Sequence, residues 1–202
     1  MVTQVLERRP VQTGRRLKIL GISGSARRGS FNTALLEAAK EVVPPGASLE
    51  TFDVSGLPLF NQDLEGQMPE AVRAFKEEIR GADAVLFSTP EHNYSVSALL
   101  KNAIEWGNRP ETDNCWDGKP AAIMSASTSP RGGARAQLHL RQIMLELNMY
   151  PMNQPQLLVA RAQEKFDSKS RLTDEKLKER LRELLLSLVQ WTMRLQSGAI
   201  GA

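Results

Sequence analysis

Apolar and polar positions along this 202-residue chain alternate between short apolar runs and longer stretches with apolar residues three and four apart. The runs 17–23, 48–53, 83–89, 120–126 and 156–160 have the length and composition of buried strands. The stretches 32–43, 69–80, 96–107, 133–147 and 173–196 carry helical spacing. Five strand–helix units in succession predict an α/β fold, a parallel sheet covered by helices on both faces, and five strands fit the doubly wound order 2-1-3-4-5. The segments 54–68 and 107–119, with their Pro, Gly, Asn and Asp, read as loops long enough to shape a site rim. No internal repeat or second domain is visible.

The candidate chemistry lies at the carboxyl ends of two expected strands, where open α/β sheets bind ligands. Strand 17–23 breaks into Gly24-Ser25-Ala26-Arg27-Arg28-Gly29-Ser30-Phe31-Asn32-Thr33 before a helix. Free backbone N–H groups and the positive end of the helix dipole meet there, which makes the loop an anion site. Ser25, Ser30, Asn32 and Thr33 add short donors, and Arg27 adds a permanent charge that can fork onto phosphate oxygens. A plain turn with a helix cap needs fewer cations and donors than this. The expected guest is a phosphate monoester, because Gly21, Gly24 and Gly29 do not form GxGxxG and the loop lacks the Gly-Lys-Ser/Thr of an ATP site. Strand 83–89 ends in Pro90-Glu91-His92-Asn93-Tyr94-Ser95. Rich in amides and holding one acid, this loop suits a flat heterocycle edged with donors and acceptors better than a metal.

Composition narrows the setting. Hydrophobic residues make up 41% of the chain and no apolar run approaches 18, so no membrane span is expected. Cys115 is the only cysteine and cannot form an internal disulfide, which makes the cytoplasm the expected compartment. It reads as a free loop thiol with no cationic cluster beside it and no catalytic role. The formal net charge of +3 sits in residues 1–16, where Arg8, Arg9, Arg15 and Arg16 face only Glu7; the remaining body carries 22 positive and 22 negative side chains. No nucleic-acid partner is therefore expected. Residues 1–16, with Pro10, Gly14 and no periodicity, read as a disordered basic tail that lacks the apolar core of a secretory signal. That leaves a single domain over 17–197 and a short tail at 198–202.

Three motifs carry a resemblance. Gly24-Ser-x-Arg-x-x-Ser30-x-Asn32, Pro90-Glu-x-Asn93-x-Ser95 and Leu100-Lys-Asn-x-Ile-x-Trp106, in that order, resemble the NADPH-dependent FMN reductase family. This flavodoxin-like group includes bacterial quinone, chromate and azo-dye reductases. The similarity runs on through Gly132-Gly-Ala-Arg135 and His139-Leu-Arg-Gln142, so it covers most of residues 17–160. It implies a flavodoxin-like fold with FMN as cofactor, NADPH or NADH as hydride donor, and a quinone, free flavin, azo compound or oxidised metal species as acceptor, in a ping-pong reaction. The implied cofactor contacts are Ser23, Ser25, Arg27, Ser30, Phe31, Asn32 and Thr33 around the phosphate. Pro90, Glu91, His92, Asn93 and Tyr94 would lie along the isoalloxazine, with Ser125, Ser127, Thr128 and Gly132 beside the flavin and ribityl chain. No catalytic side chain is implied, because FMN carries the hydride. Family members often have Tyr at the position of His92, Pro at that of Ser97 and Gly at that of Ser129, and some have an aromatic residue at that of Leu138.

Other readings stand beside this one. A flavodoxin-type carrier, or a flavin-binding sensor without NAD(P)H turnover, would use the same pocket, although carriers usually lack the arginine and have an acidic surface. Val96, Leu99, Leu100, Ala103, Ile104 and Trp106 describe a core-facing helix, while the resemblance implies a homodimer or homotetramer in contact there. Glu91 is expected to be a structural acceptor and not an acid catalyst, His92 a flavin or subunit contact, and His139 a structural residue. Arg28, Arg131 and Arg135 are each long enough to reach a 2′-phosphate.

Overall fold

The central strand β1, Leu17–Ser23, pairs in parallel with β2, Ala47–Phe52, on one side and with β3, Ala84–Ser88, on the other. β3 pairs in turn with β4, Pro120–Ala126, so the sheet has the expected order 2-1-3-4-5. This computed structural model describes residues 15–198, and the expectations for residues 1–14 and 199–202 lie outside them. Arg15, assigned to the tail from sequence, reaches Asp83 at 2.5 Å, and Asp83 also accepts the Lys18 N–H at 2.8 Å.

The fifth position differs from a single strand 156–160. Two short strands share it: β5, Tyr150–Pro151, opposite Pro120 and Ala121, and β6, Leu157–Val159, opposite Met124–Ala126. Pro151 and Pro155 lack the N–H that an unbroken ladder needs, so the chain leaves the sheet between them and returns.

Side chains of β3 show how the sheet is covered. Ala84 and Leu86 pack toward α1, Phe31–Glu41, and α5, Glu175–Gln196, while Val85 and Phe87 pack toward α2, Glu70–Gly81, α3, Ala98–Gly107, and α4, Ala134–Glu146. Both faces are thus covered by helices, and the larger of two openings among the described residues lies at the strand ends. Among the described residues no helix is long and apolar enough to cross a membrane.

Helix α3 begins two residues later than its periodicity predicts, because Ser97 caps it. The Ser97 hydroxyl accepts the Leu100 N–H at 3.1 Å and donates to the Gly24 carbonyl at 2.6 Å, which ties this helix to the phosphate-type loop. Leu100, Ala103, Ile104 and Trp106 are buried within the chain itself, with Ala103 only 1% exposed. The subunit contact implied for this helix is therefore corrected at these four residues: they are core. At its end the Trp116 indole donates to the Ile104 carbonyl at 3.0 Å, and Gly107 leaves the room, since a Cβ there would stand 2.4 Å from the ring.

Cys115 also departs from expectation. It is buried, and Lys76 and Arg80 stand near it, both paired with Asp113. Burial pushes its thiol up by more than the two cations pull it down, so it remains protonated at neutral pH and unreactive.

Candidate active site

The turn from β1 into α1 is held by its own short side chains. Ser30 caps α1, accepting the N–H groups of Asn32 at 3.2 Å and Thr33 at 3.4 Å. Ser25 accepts the Arg27 N–H at 3.4 Å, and the Arg27 guanidinium donates to the Gly29 carbonyl at 3.0 Å while lying over the Phe31 ring. The backbone N–H groups of Ala26, Arg28, Gly29 and Phe31 have no acceptor among the described residues. Unpaired donors at the positive end of a helix, with the Arg27 guanidinium beside them, form a cradle for a phosphate.

Asn32 does a different job from its neighbours. Its amide nitrogen donates to the Ala126 carbonyl at 2.9 Å and its amide oxygen accepts the Ala126 N–H at 2.9 Å and the Ser88 hydroxyl at 3.3 Å. This buried side chain therefore fixes the cradle against the ends of β3 and β4.

After β3 the chain reverses tightly. His92 and Ser95 exchange both backbone hydrogen bonds, at 3.0 and 2.9 Å, around Asn93 at φ 47° and Tyr94 at φ 71°. Positive φ at a tyrosine is a strained conformation that surrounding contacts must maintain. Three contacts to α4 do so. Glu91 accepts the Arg135 backbone N–H at 3.0 Å and pairs with its guanidinium at 3.1 Å. That guanidinium lies 3.6 Å from the centre of the Tyr94 ring, and His139 Nδ1 meets the Ser95 hydroxyl at 3.0 Å. Gly133, at φ 85°, offers α4 no side-chain cap, so the Glu91 carboxylate supplies one from across the chain. Burial pushes the Glu91 carboxyl up, but the N–H groups of Arg135 and Ala136 and the guanidinium outweigh it and hold the group below the usual carboxylate range. It is ionised at neutral pH, an acceptor and not an acid catalyst.

Between these two loops lies an open cavity of about 510 Å³, lined by 24–27, 30–32, 90–92, 97–99 and 126–128. That volume is within the span of roughly 300–1,000 Å³ typical of small-molecule sites. One end holds the unpaired N–H groups and Arg27; the other is walled by Pro90, Glu91 and His92.

Comparison with known proteins agrees with this arrangement. The model of the family described as NADPH-dependent FMN reductase matches residues 17–164. The chain belongs to this family. It is 49% identical over 181 residues to the NAD(P)H-dependent FMN reductase of Pseudomonas aeruginosa, covering 89% of this chain and 97% of that one. With the NADPH:quinone oxidoreductase of Arabidopsis thaliana it shares 47% over 188 residues, 89% of this chain and 94% of that one. Among solved structures, the NAD(P)H:acceptor oxidoreductase FerB of Paracoccus denitrificans superposes with a TM-score of 0.81 at 31% identity, over 88% of this chain and 98% of that one.

As an NADPH-dependent FMN reductase the chain has FMN as its cofactor, and its donor set fits that group. A phosphate matches the free N–H groups and Arg27, and a tricyclic ring with an edge of donors and acceptors matches the 90–92 and 126–128 walls. Of the residues expected from sequence, the cavity gathers Ser25, Arg27, Ser30, Phe31, Asn32, Pro90, Glu91, His92, Ser127 and Thr128. Six others fall outside its wall. Ser23 and Thr33 bond each other at 2.9 Å beside the cradle, and Asn93 and Tyr94 form the tip of the reversal, with Tyr94 turned onto Arg135. Ser125 is fully buried, donating to the Gly132 carbonyl at 2.5 Å and accepting from Gln137 at 2.8 Å, while Gly132 packs against the backbone of Leu158 and Ala160. These two shape the β4–α4 loop from behind. Gly24, Ala26, Ser97, Ala98, Leu99 and Ala126 also line the cavity, although none of them is among the cofactor contacts expected from sequence. Ser97 carried a readable signal, a hydroxyl residue just before a helical pattern; the others present chiefly backbone and methyl groups, which composition does not distinguish.

Proposed function

We propose that this chain uses FMN to pass electrons from NADPH or NADH to a quinone, with free flavin, azo compounds and oxidised metal species as further acceptors. The observation that carries the reading is the single cavity in which a phosphate cradle with Arg27 runs into the Pro90–His92 loop. FMN supplies the hydride chemistry when bound. The protein's part is to hold the phosphate, to keep the 91–95 reversal in its strained form through Arg135, and to aim N–H groups at charge developing on the ring. One accessible ring face would serve donor and acceptor in turn. Initial velocities measured against NADPH and benzoquinone should then give parallel double-reciprocal lines, whereas intersecting lines would require a ternary complex and a separate acceptor site. The acid-poor cradle with its arginine, and the neutral body charge, favour this reading over a flavodoxin-type carrier.

The working unit is a homodimer or homotetramer in the cytoplasm, with no nucleic-acid partner. Its contact face is α4, where Leu138 and Leu145 are 63% and 81% exposed and, seven residues apart, share one side. Tyr94, 62% exposed, stands beside the same helix through Arg135, which brings that face up to the flavin loop.

A further inference from the structure

A second groove, of about 430 Å³, runs along the outer side of α1 beneath the loop 169–172, and meets the flavin cavity at Arg27 and Ser30. We propose that it holds the adenosine 2′-phosphate end of NADPH and so sets a preference for NADPH over NADH; this rests on the flavoenzyme reading above. The groove changes character along its length. At the end shared with the cradle stand Arg28 and Lys169, both exposed, whose side chains have no hydrogen-bond or ion-pair partner among the described residues. Their freedom is built into the loop. Asp167 accepts the backbone N–H groups of Lys169 at 2.9 Å and Arg171 at 2.8 Å and takes the Arg171 guanidinium at 2.8 Å, which satisfies Arg171 and leaves the Lys169 ammonium over the groove.

The middle of the groove is floored by Ala34, Ala38 and Leu172, apolar surface of the kind a purine covers, and edged by Glu37, whose carboxylate is paired with Lys40 at 2.8 Å. At the far end Glu41 is exposed and unpaired among the described residues. A carboxylate there repels a second phosphate and accepts from an exocyclic amine such as that of adenine. Cations, apolar floor and acid follow in the order phosphate, ribose with purine, and amine. Of the three arginines long enough to reach a 2′-phosphate, Arg135 is occupied by Glu91 and Tyr94, and Arg131 lines neither opening. Of these three only Arg28 lines this groove, beside Arg27 of the cradle and the Asp167-paired Arg171.

The test is calorimetric titration of the full chain with adenosine 2′-monophosphate and, separately, adenosine 5′-monophosphate. A charge-assisted contact made by one isomer alone is expected to favour the 2′ isomer by about tenfold. Lys169→Glu and Arg28→Ala should each erase most of that difference, and Lys169→Glu should leave FMN affinity as it was. In steady state the same variants should raise KM for NADPH by about tenfold and leave KM for NADH unchanged. Equal affinity for the two isomers in the wild type, or a preference that survives both substitutions, would overturn the assignment. Failure of the wild type to oxidise either nucleotide would instead sink the flavoenzyme reading, and the isomer titration would still judge the groove.

Discussion

Ala103→Glu is expected to unfold the protein, while Leu138→Glu with Leu145→Glu is expected to leave it folded and convert it to monomer. Ala103 is 1% exposed and packs among Leu100, Ile104 and Trp106, so a carboxylate there has neither water nor a cation. An uncompensated buried ion costs several kcal/mol, a large share of the roughly 5–15 kcal/mol by which domains are stable. The two α4 leucines are exposed, and a charge on them costs the fold little. Circular dichroism with light scattering separates the effects. A folded Ala103→Glu that merely dissociates would return the subunit contact to α3, and an α4 double variant that keeps its assembly would remove it from α4.

The second large effect is expected at Asn32. Asn32→Ala leaves the N–H and carbonyl of Ala126 without partners in a buried place, at about 1–3 kcal/mol for each orphaned group. Urea unfolding should show a lower midpoint at an unchanged slope. FMN affinity should fall as well, because the same side chain holds the Ser30-capped turn against the 126–128 wall. Unchanged stability with lost FMN would make Asn32 a direct phosphate contact, as the motif alone suggests, and not the fixture that its hydrogen bonds describe.

These two residues show where the sequence is legible. Strand and helix periods report burial of a face, so the five βα units and the sheet order could be read from apolar spacing. The same periodicity cannot say whether an apolar helix face is buried by its own chain or by another: at Ala103 it describes a core-facing helix while the family resemblance implies a contact, and the burial within the chain decides for core. The break between β5 and β6 hangs on Pro151 and Pro155, two residues in a stretch with little pattern of its own. In the site, the Gly/Ser/Arg composition of 24–33 and the Pro-Glu start of the second loop announce their chemistry locally. What each side chain touches does not follow from composition: Asn32 bonds to Ala126, 94 residues away, and Glu91 to Arg135, 44 away. Asn93 and Tyr94 sit inside the Pro90 motif and Ser125 at the end of β4, yet backbone reversal and a buried hydroxyl network turn them from the cavity.

The most direct measurement is a pair of half-reactions on FMN-loaded protein without oxygen. NADPH added in equal molar amount should bleach the absorbance of the bound oxidised flavin, and one equivalent of benzoquinone added afterwards should restore it. A flavin that binds but keeps its oxidised spectrum in excess NADPH and NADH would contradict the account and leave a carrier or sensor in its place.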